Sequence, residues 1–192
     1  MIKTATIGFD YIAKTFQLSD GLVVNCHIID TGGQERYFAM NESYYKKADA
    51  VLLVYDITDH KSFEAIKNYY LIKIKELCIL NIPIILLGNK IDVKDMRKVT
   101  EEEGMDLALS HNFKFKEISC LKNENVSDAF EILIELWNVE NKKKKSEEYS
   151  RKSKESKNER KKTKNHSSKY NGRETLRLKK DNHNRKKKKT FC

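Results

Sequence analysis

The chain has 192 residues, 34% of them charged and 39% hydrophobic, with a single proline and a formal net charge of +10. That length allows one domain with a real core, but residues 1–139 carry 16 basic and 21 acidic side chains while 140–192 carry 22 and 7, so all the basicity lies in the tail. Its four cysteines lack paired or metal-ligand spacing, and the sequence shows neither an apolar leader nor a run of about 18 apolar residues, which argues against disulfide scaffolds, zinc modules, secretion and membrane spans.

Through residue 139 the pattern alternates strand with helix, the signature of an open α/β sheet. Residues 11–18 and 22–29 read as strands joined by Ser19-Asp20-Gly21, whose Asp-Gly pair suits a hairpin turn. Ala50–Tyr55 and Ile82–Leu87 are continuous apolar runs, as expected of strands buried on both faces. Between them Phe63, Ile66, Tyr70, Ile74 and Leu77 keep helical spacing. Thr100 with Glu103 predicts a capping box. A last strand near 113–118 precedes a helix that Asn125 can cap, with Val126, Ala129, Phe130, Leu133 and Trp137 on its apolar face.

From Glu140 onward, apolar side chains are too sparse to offset chain entropy, and the segment 140–192 is predicted to be disordered, with at most a marginal polar helix at its start. The domain boundary is placed at 139/140.

Two short motifs carry the chemistry. Asp30-Thr31-Gly32-Gly33-Gln34-Glu35 starts at the end of a predicted strand, where ligands gather in open α/β sheets. A carboxylate at Asp30 can hold a water on Mg²⁺, and the glycines let a backbone N–H approach a γ-phosphate. Gln34 projects toward the place of an attacking water. The second motif, Asn89-Lys90-Ile91-Asp92, also follows a strand. Asp92 can accept both the ring N–H and the exocyclic amino group of guanine, Asn89 can brace the loop, and the Lys90 stem can lie over the base. Either motif alone would also fit an ordinary polar turn at a strand end.

Taken together, Thr6–Tyr11, Asp30–Tyr37, Tyr44-Tyr45, Leu53–Thr58, Gly88–Asp92 and Glu117–Leu121 resemble, in order and approximate spacing, the motifs of Ras-superfamily GTPases and of the Rab branch in particular. The resemblance covers residues 4 to about 138 and implies the P-loop NTPase type of α/β sheet, with helices on both faces, binding GTP or GDP with Mg²⁺. It assigns Thr6 and, through a water, Asp30 to the metal, Gly33 to the γ-phosphate, and Gln34 to orienting the hydrolytic water. Asn89, Lys90 and Asp92 fall to guanine, and Ser119, Cys120 and Leu121 to the loop supporting the base. Tyr11, Ile29 and Tyr44 fall at the aromatic triad that Rab proteins present to effectors.

Three departures stand out. Gly32 and Cys120 replace alanines, and Ile29 replaces a tryptophan, which puts generic effector binding in doubt. A larger one is that GxxxxGK[ST], the loop that cradles phosphates in this family, occurs nowhere in the 192 residues. The resemblance places that loop, with its strand and helix, ahead of Met1, so an incomplete gene model is the expectation and a pseudo-GTPase interaction module without turnover the alternative. Without the strand, ladder hydrogen bonds on two neighbours would stay open.

The tail ends in Arg185-Lys186-Lys187-Lys188-Lys189-Thr190-Phe191-Cys192, which does not fit CaaX. Cys192 beside a basic run is compatible with a lipid-plus-charge anchor, and equally with a solvated tail bearing a free thiol. The expected partners are guanine nucleotide, effectors, an exchange factor, a GTPase-activating protein and a membrane surface, for a monomer on the cytosolic face of endomembranes. A specific nucleic-acid role is not expected, since the tail offers few aromatics for stacking and no reading fold stands beside it.

Overall fold

In a computed structural model of the chain, residues 6, 8–32, 38–78, 82–166 and 189–191 are described. The chain divides into two compact units, Met1–Asn138 with Lys188–Cys192, and Val139–Lys187. The first is a mixed α/β unit whose described strands form two three-stranded sheets, ordered β1-β2-β6 and β3-β4-β5.

β1 (Phe9–Gln17) and β2 (Val23–Thr31) are an antiparallel hairpin in register from Phe9↔Thr31 to Gln17↔Val23. Gly21 adopts φ +79°, a conformation costly for residues with a Cβ, and Asp20 Oδ1 accepts from the Leu22 N–H at 3.1 Å to close the turn. β3 (Val51–Asp56), β4 (Ile84–Asn89) and β5 (Lys114–Ile118) are parallel, with Tyr55 opposite Gly88 and Asn89 opposite Ile118. Functional loops therefore leave β3, β4 and β5 at one end of the sheet.

Helices cover both faces of that sheet. On one, α5 (Val126–His166) lays Ala129, Leu133, Ile134 and Trp137 against Ala50, Ile85, Leu87 and Ile118, joined by Phe16, Leu18, Val24 and Cys26 of the hairpin region. On the other, Val51, Leu53, Tyr55 and Leu86 meet Phe63, Ile66, Leu71, Ile74 and Ala108. After α1 (Phe38–Tyr45), these come from α2 (His60–Ala65), the π-helical turn Ile66–Tyr70, α3 (Leu71–Leu77) and α4 (Glu101–Ser110). α4 begins on the predicted capping box, Thr100 Oγ1 accepting from the Glu103 N–H at 3.1 Å while Glu103 Oε2 accepts from the Thr100 N–H at 2.8 Å.

Two local expectations need correction. Of the apolar stripe predicted at Phe63, Ile66, Tyr70, Ile74 and Leu77, Phe63, Ile66 and Ile74 are buried, but one π-helical turn, Ile66–Tyr70, joins α2 to α3, adds Leu71 to the core and leaves Tyr70 half-buried against it. Asn125 has φ +60° and its side-chain amide donates to the Glu117 carbonyl at 2.9 Å, which ties the start of α5 to the end of β5.

The tail also differs from the disordered segment predicted for 140–192. α5 runs Val126–His166, its exposed part carried by pairs such as Lys152–Glu148 at 2.6 Å, four residues apart. A short strand, β6 (Lys189–Phe191), pairs in parallel with β2, Cys26↔Lys189 to Ile28↔Phe191. Of the two edges expected to lie open, that of β2 is thus taken by the chain's own end. β3 has β4 on one side and no strand on the other among the described residues. No helix there is long and apolar enough to cross a membrane.

Candidate functional site

The loops after β3, β4 and β5 are locked together through Asn89. Its Oδ1 accepts from its neighbour's N–H at Lys90 (2.8 Å) and from the Cys120 N–H (3.1 Å), so one amide side chain holds the loops after β4 and β5 in a single geometry. Lys90 adopts φ +75°, a left-handed conformation that costs a non-glycine residue about 1 kcal/mol or more and is retained where surrounding contacts enforce it. One such contact is the ion pair of Lys90 Nζ with the Asp56 carboxylate.

Asp56 also accepts from Thr58, at 2.9 Å from the backbone N–H and 2.7 Å from Oγ1. Burial alone would raise the Asp56 pKa, but hydrogen bonds from Lys90 and Thr58 outweigh it and hold the carboxyl below its ordinary value.

Asp92 is oriented from β5. Ser119, fully buried, donates from Oγ to Asp92 Oδ1 at 2.5 Å and accepts the Lys122 N–H at 3.0 Å. Ser119 is itself fixed by a two-way backbone bridge with Glu124, at 3.1 and 2.9 Å. Leu121, 78% exposed, and exposed Cys120 form the outer rim. Behind them Arg97 grips Glu117 in a two-pronged pair of 2.6 and 2.8 Å and donates to the Val99 carbonyl at 3.0 Å. The hydrogen bond to Glu117 raises the Arg97 pKa further.

At the metal-side positions, Thr6 Oγ1 donates to Asp30 Oδ2 at 3.1 Å, and the Gly32 N–H is taken by the Gly8 carbonyl at 2.8 Å. Thr31 and Tyr45 bring their hydroxyl oxygens within 3.3 Å. Gly33, Gln34 and Cys192 lie outside the described residues. No group of three or more His, Cys, Asp or Glu that could hold a metal occurs among the described residues.

Of the three effector positions, Tyr11 and Ile29 are cross-strand neighbours, yet Tyr11 is 47% exposed and packs edge-on to His27, whereas Ile29 is only 6% exposed. Tyr44 packs against Phe9 at 4.7 Å. The predicted residues therefore fall into two separate groups, Asn89, Lys90, Asp92, Ser119 and Cys120 around one loop system and Thr6 with Asp30 at the end of the hairpin.

The sequence reading assigned no role to Asp56, Thr58, Arg97 or Glu117. Asp56-Ile57-Thr58 had a usable signal, an aspartate closing a buried strand with a hydroxyl two residues on. The Arg97–Glu117 pair had none, its partners being 20 residues apart.

Comparison with known proteins agrees with this geometry. The family model described as the Ras family matches residues 2–138. The Ras-related protein Rab-8A of Bos taurus is 43% identical over 126 residues, 66% of this chain and 60% of the relative. The Ras-related protein Rab-8B of Homo sapiens is 41% identical over the same shares. The chain thus spans 60% of the length of these curated relatives. With its α/β fold and these matches, the chain belongs to the Ras family and is Rab-like within it.

Proposed function

We propose that the chain is the base-selecting and switch-bearing part of a Rab-like small GTPase that binds GTP and GDP and works in vesicle-mediated transport. The observation that carries this reading is the preset Asp92 carboxylate, held by Ser119 Oγ in a loop frame that Asn89 braces. A fixed carboxylate can accept two N–H groups side by side, which guanine offers on one edge and adenine does not. The Asp56 pair anchors the Lys90 head, leaving its aliphatic stem as a platform for the ring.

Thr6 and Asp30, already within hydrogen-bond distance, are two oxygen donors suited to Mg²⁺, one directly and one through water. Bound Mg²⁺ would supply charge neutralisation for phosphate oxygens. Gly33 and Gln34 keep the γ-phosphate and water-orienting roles. Tyr11, Ile29 and Tyr44 are the surface for effectors, with exchange factor and GTPase-activating protein acting at the same switches. Cys192 with Lys186–Lys189 forms a lipid-plus-charge anchor for the cytosolic face of endomembranes.

Base preference tests the reading. Titration of the full chain with Mg²⁺ and guanosine, adenosine or xanthosine diphosphate should show selectivity for guanosine. Asp92→Asn should move it toward xanthosine, because the amide offers a donor where that base offers an acceptor. A hydrogen bond to a charged group contributes about 2 kcal/mol, roughly 30-fold in affinity. An unchanged preference order in the variant would remove Asp92 from the site.

The second reading is an interaction module that keeps the switch surface without turnover. Absence of any nucleotide selectivity, with fold intact, would favour it.

A further inference from the structure

The segment 92–97, which follows the base motif, is fastened at both ends to the end of β5. At its start Asp92 takes the Ser119 hydroxyl at 2.5 Å. At its finish Arg97 spans to Glu117 with both prongs of its guanidinium, at 2.6 and 2.8 Å. Between these ends the backbone bonds are local turns, Val93 N–H to the Lys90 carbonyl at 3.0 Å, Met96 N–H to Val93 at 3.1 Å and Arg97 N–H to Lys94 at 3.1 Å. Such turns shape the segment without placing it on the sheet. Placement comes from its ends, with Lys98 and Val99 just beyond it both donating to the Ile57 carbonyl, at 2.8 and 3.0 Å.

Glu117 is the fixed partner of the pair. Its backbone lies in β5 opposite Gly88 of β4, and its carbonyl accepts the Asn125 amide at 2.9 Å. Arg97 is the member carried on a loop, and it donates a further bond to the Val99 carbonyl at 3.0 Å. The two side chains are 25% and 13% exposed, so desolvation offsets much of their attraction and an apolar pair of the same shape would hold the loop about as firmly. What an apolar pair lacks is orientation. Two parallel bonds from a planar fork define both distance and rotation, whereas a lysine ammonium in the same place defines distance alone.

We propose that Arg97 and Glu117 are positioning residues for base recognition: their fork fixes the rotation of the 92–97 segment against β5 and so aligns the two acceptor oxygens of Asp92 with the paired N–H groups of guanine. The inference rests on the base-selecting role proposed for Asp92 above. Neither residue touches the base. Ser119 fixes one carboxylate oxygen from β5, and the fork sets the backbone that carries the carboxylate.

Guanosine and inosine diphosphates separate alignment from mere binding, because inosine keeps the ring N–H and lacks the exocyclic amino group. The ratio of their affinities for the full chain with Mg²⁺, read by NMR titration, reports the second hydrogen bond alone. The native chain should prefer guanosine about tenfold. Arg97→Lys keeps the charge and Glu117→Gln keeps the shape, yet each should bring the ratio below about threefold, and the double variant should fall no further, since either change alone already removes the fork. Lost stability alone weakens both diphosphates equally, so a native ratio in both single variants overturns the positioning role. A double variant that falls by the product of the singles overturns the fork as a unit. In the nucleotide-free chain, amide exchange across residues 92–97 should quicken severalfold in Arg97→Lys, and unchanged exchange overturns the clamp itself. A native ratio near one, unmoved by Asp92→Asn, overturns the base reading, and the positioning role falls with it.

Discussion

Replacing Tyr55 by phenylalanine should make the protein more stable. Tyr55 is 1% exposed, its ring packs on Phe63 at 4.9 Å, and its hydroxyl has no hydrogen-bond partner among the described residues. Burial, with the nearby Glu117 charge second, pushes the phenol pKa well above its usual value. The hydroxyl is wedged between two glycines: a Cβ on Gly88 would stand 2.9 Å from Tyr55 Oη and one on Gly104 2.4 Å. An unsatisfied buried hydroxyl costs about 1–3 kcal/mol in lost hydration. Removing it returns most of that, less a few tenths for the dispersion attraction forfeited around the small void. The expected gain of about 1–2 kcal/mol raises the melting temperature by roughly 3–6 °C for a unit of this size. Urea unfolding of both full-length proteins followed by circular dichroism gives the number directly. A variant less stable than the parent would show that the hydroxyl is satisfied and the reasoning wrong. Gly88→Ala supplies a control of opposite sign. It should destabilise, and less so when combined with Tyr55→Phe, where the 2.9 Å clash is gone and the ring and Ile57 remain at 3.1 and 3.2 Å.

Other outcomes follow from the site's frame. Glu117→Ala, which strands a half-buried Arg97, should cost about 2 kcal/mol by urea unfolding, and a cost near zero would reduce that pair to decoration. The Asp56 carboxyl lies below its unfolded value, so its stabilisation is present above about pH 4 and is lost as pH falls through the folded value. Asp56→Asn should therefore flatten the acid limb of stability below about pH 5, and an unchanged limb would contradict the assignment. Burial pushes the Cys26 thiol up to about 12, leaving on the order of one part in ten thousand as thiolate at about pH 8. Iodoacetamide on the folded chain should modify exposed Cys120 and spare Cys26, with guanosine nucleotide slowing the Cys120 reaction; peptide mapping that finds Cys26 modified at the same rate would refute its burial.

Sheet strands and the final helix were legible because burial writes itself as pattern. Ile84–Leu87 is apolar on every residue since helices cover both faces of β4, whereas β3 leaves Val54 48% exposed; Ala129, Leu133 and Trp137 recur at helical spacing since one face of α5 is buried. The stripe missed only Leu71, which a π turn brings into the core, a change in phase that side-chain spacing cannot register in advance. β6 was hidden for another reason. Three residues at the end of a lysine run have no pattern of their own, and their strand state depends wholly on an edge that β2 offers from far away in the sequence.

The site divides along the same line. The roles proposed for Asn89 and Asp92 rest on local chemistry alone, an amide at a strand end and a carboxylate three residues on. On the proposed reading, Asp92 is oriented from β5, where Ser119 Oγ at 2.5 Å helps to hold the paired acceptor geometry that would tell guanine from adenine. Ser119 in turn is held by its bridge to Glu124, and Asn125 pins the next turn to the Glu117 carbonyl at 2.9 Å. Glu117 is itself gripped by Arg97 from the loop that follows the base motif. The chain of support thus leaves the motif at Asp92, crosses to β5 and returns through Arg97, closing a ring of contacts. Ser119→Ala should therefore weaken guanosine selectivity while leaving Asp92 in place. A selectivity unchanged by that loss would mean that the carboxylate needs no orientation and that the two-loop frame serves stability alone.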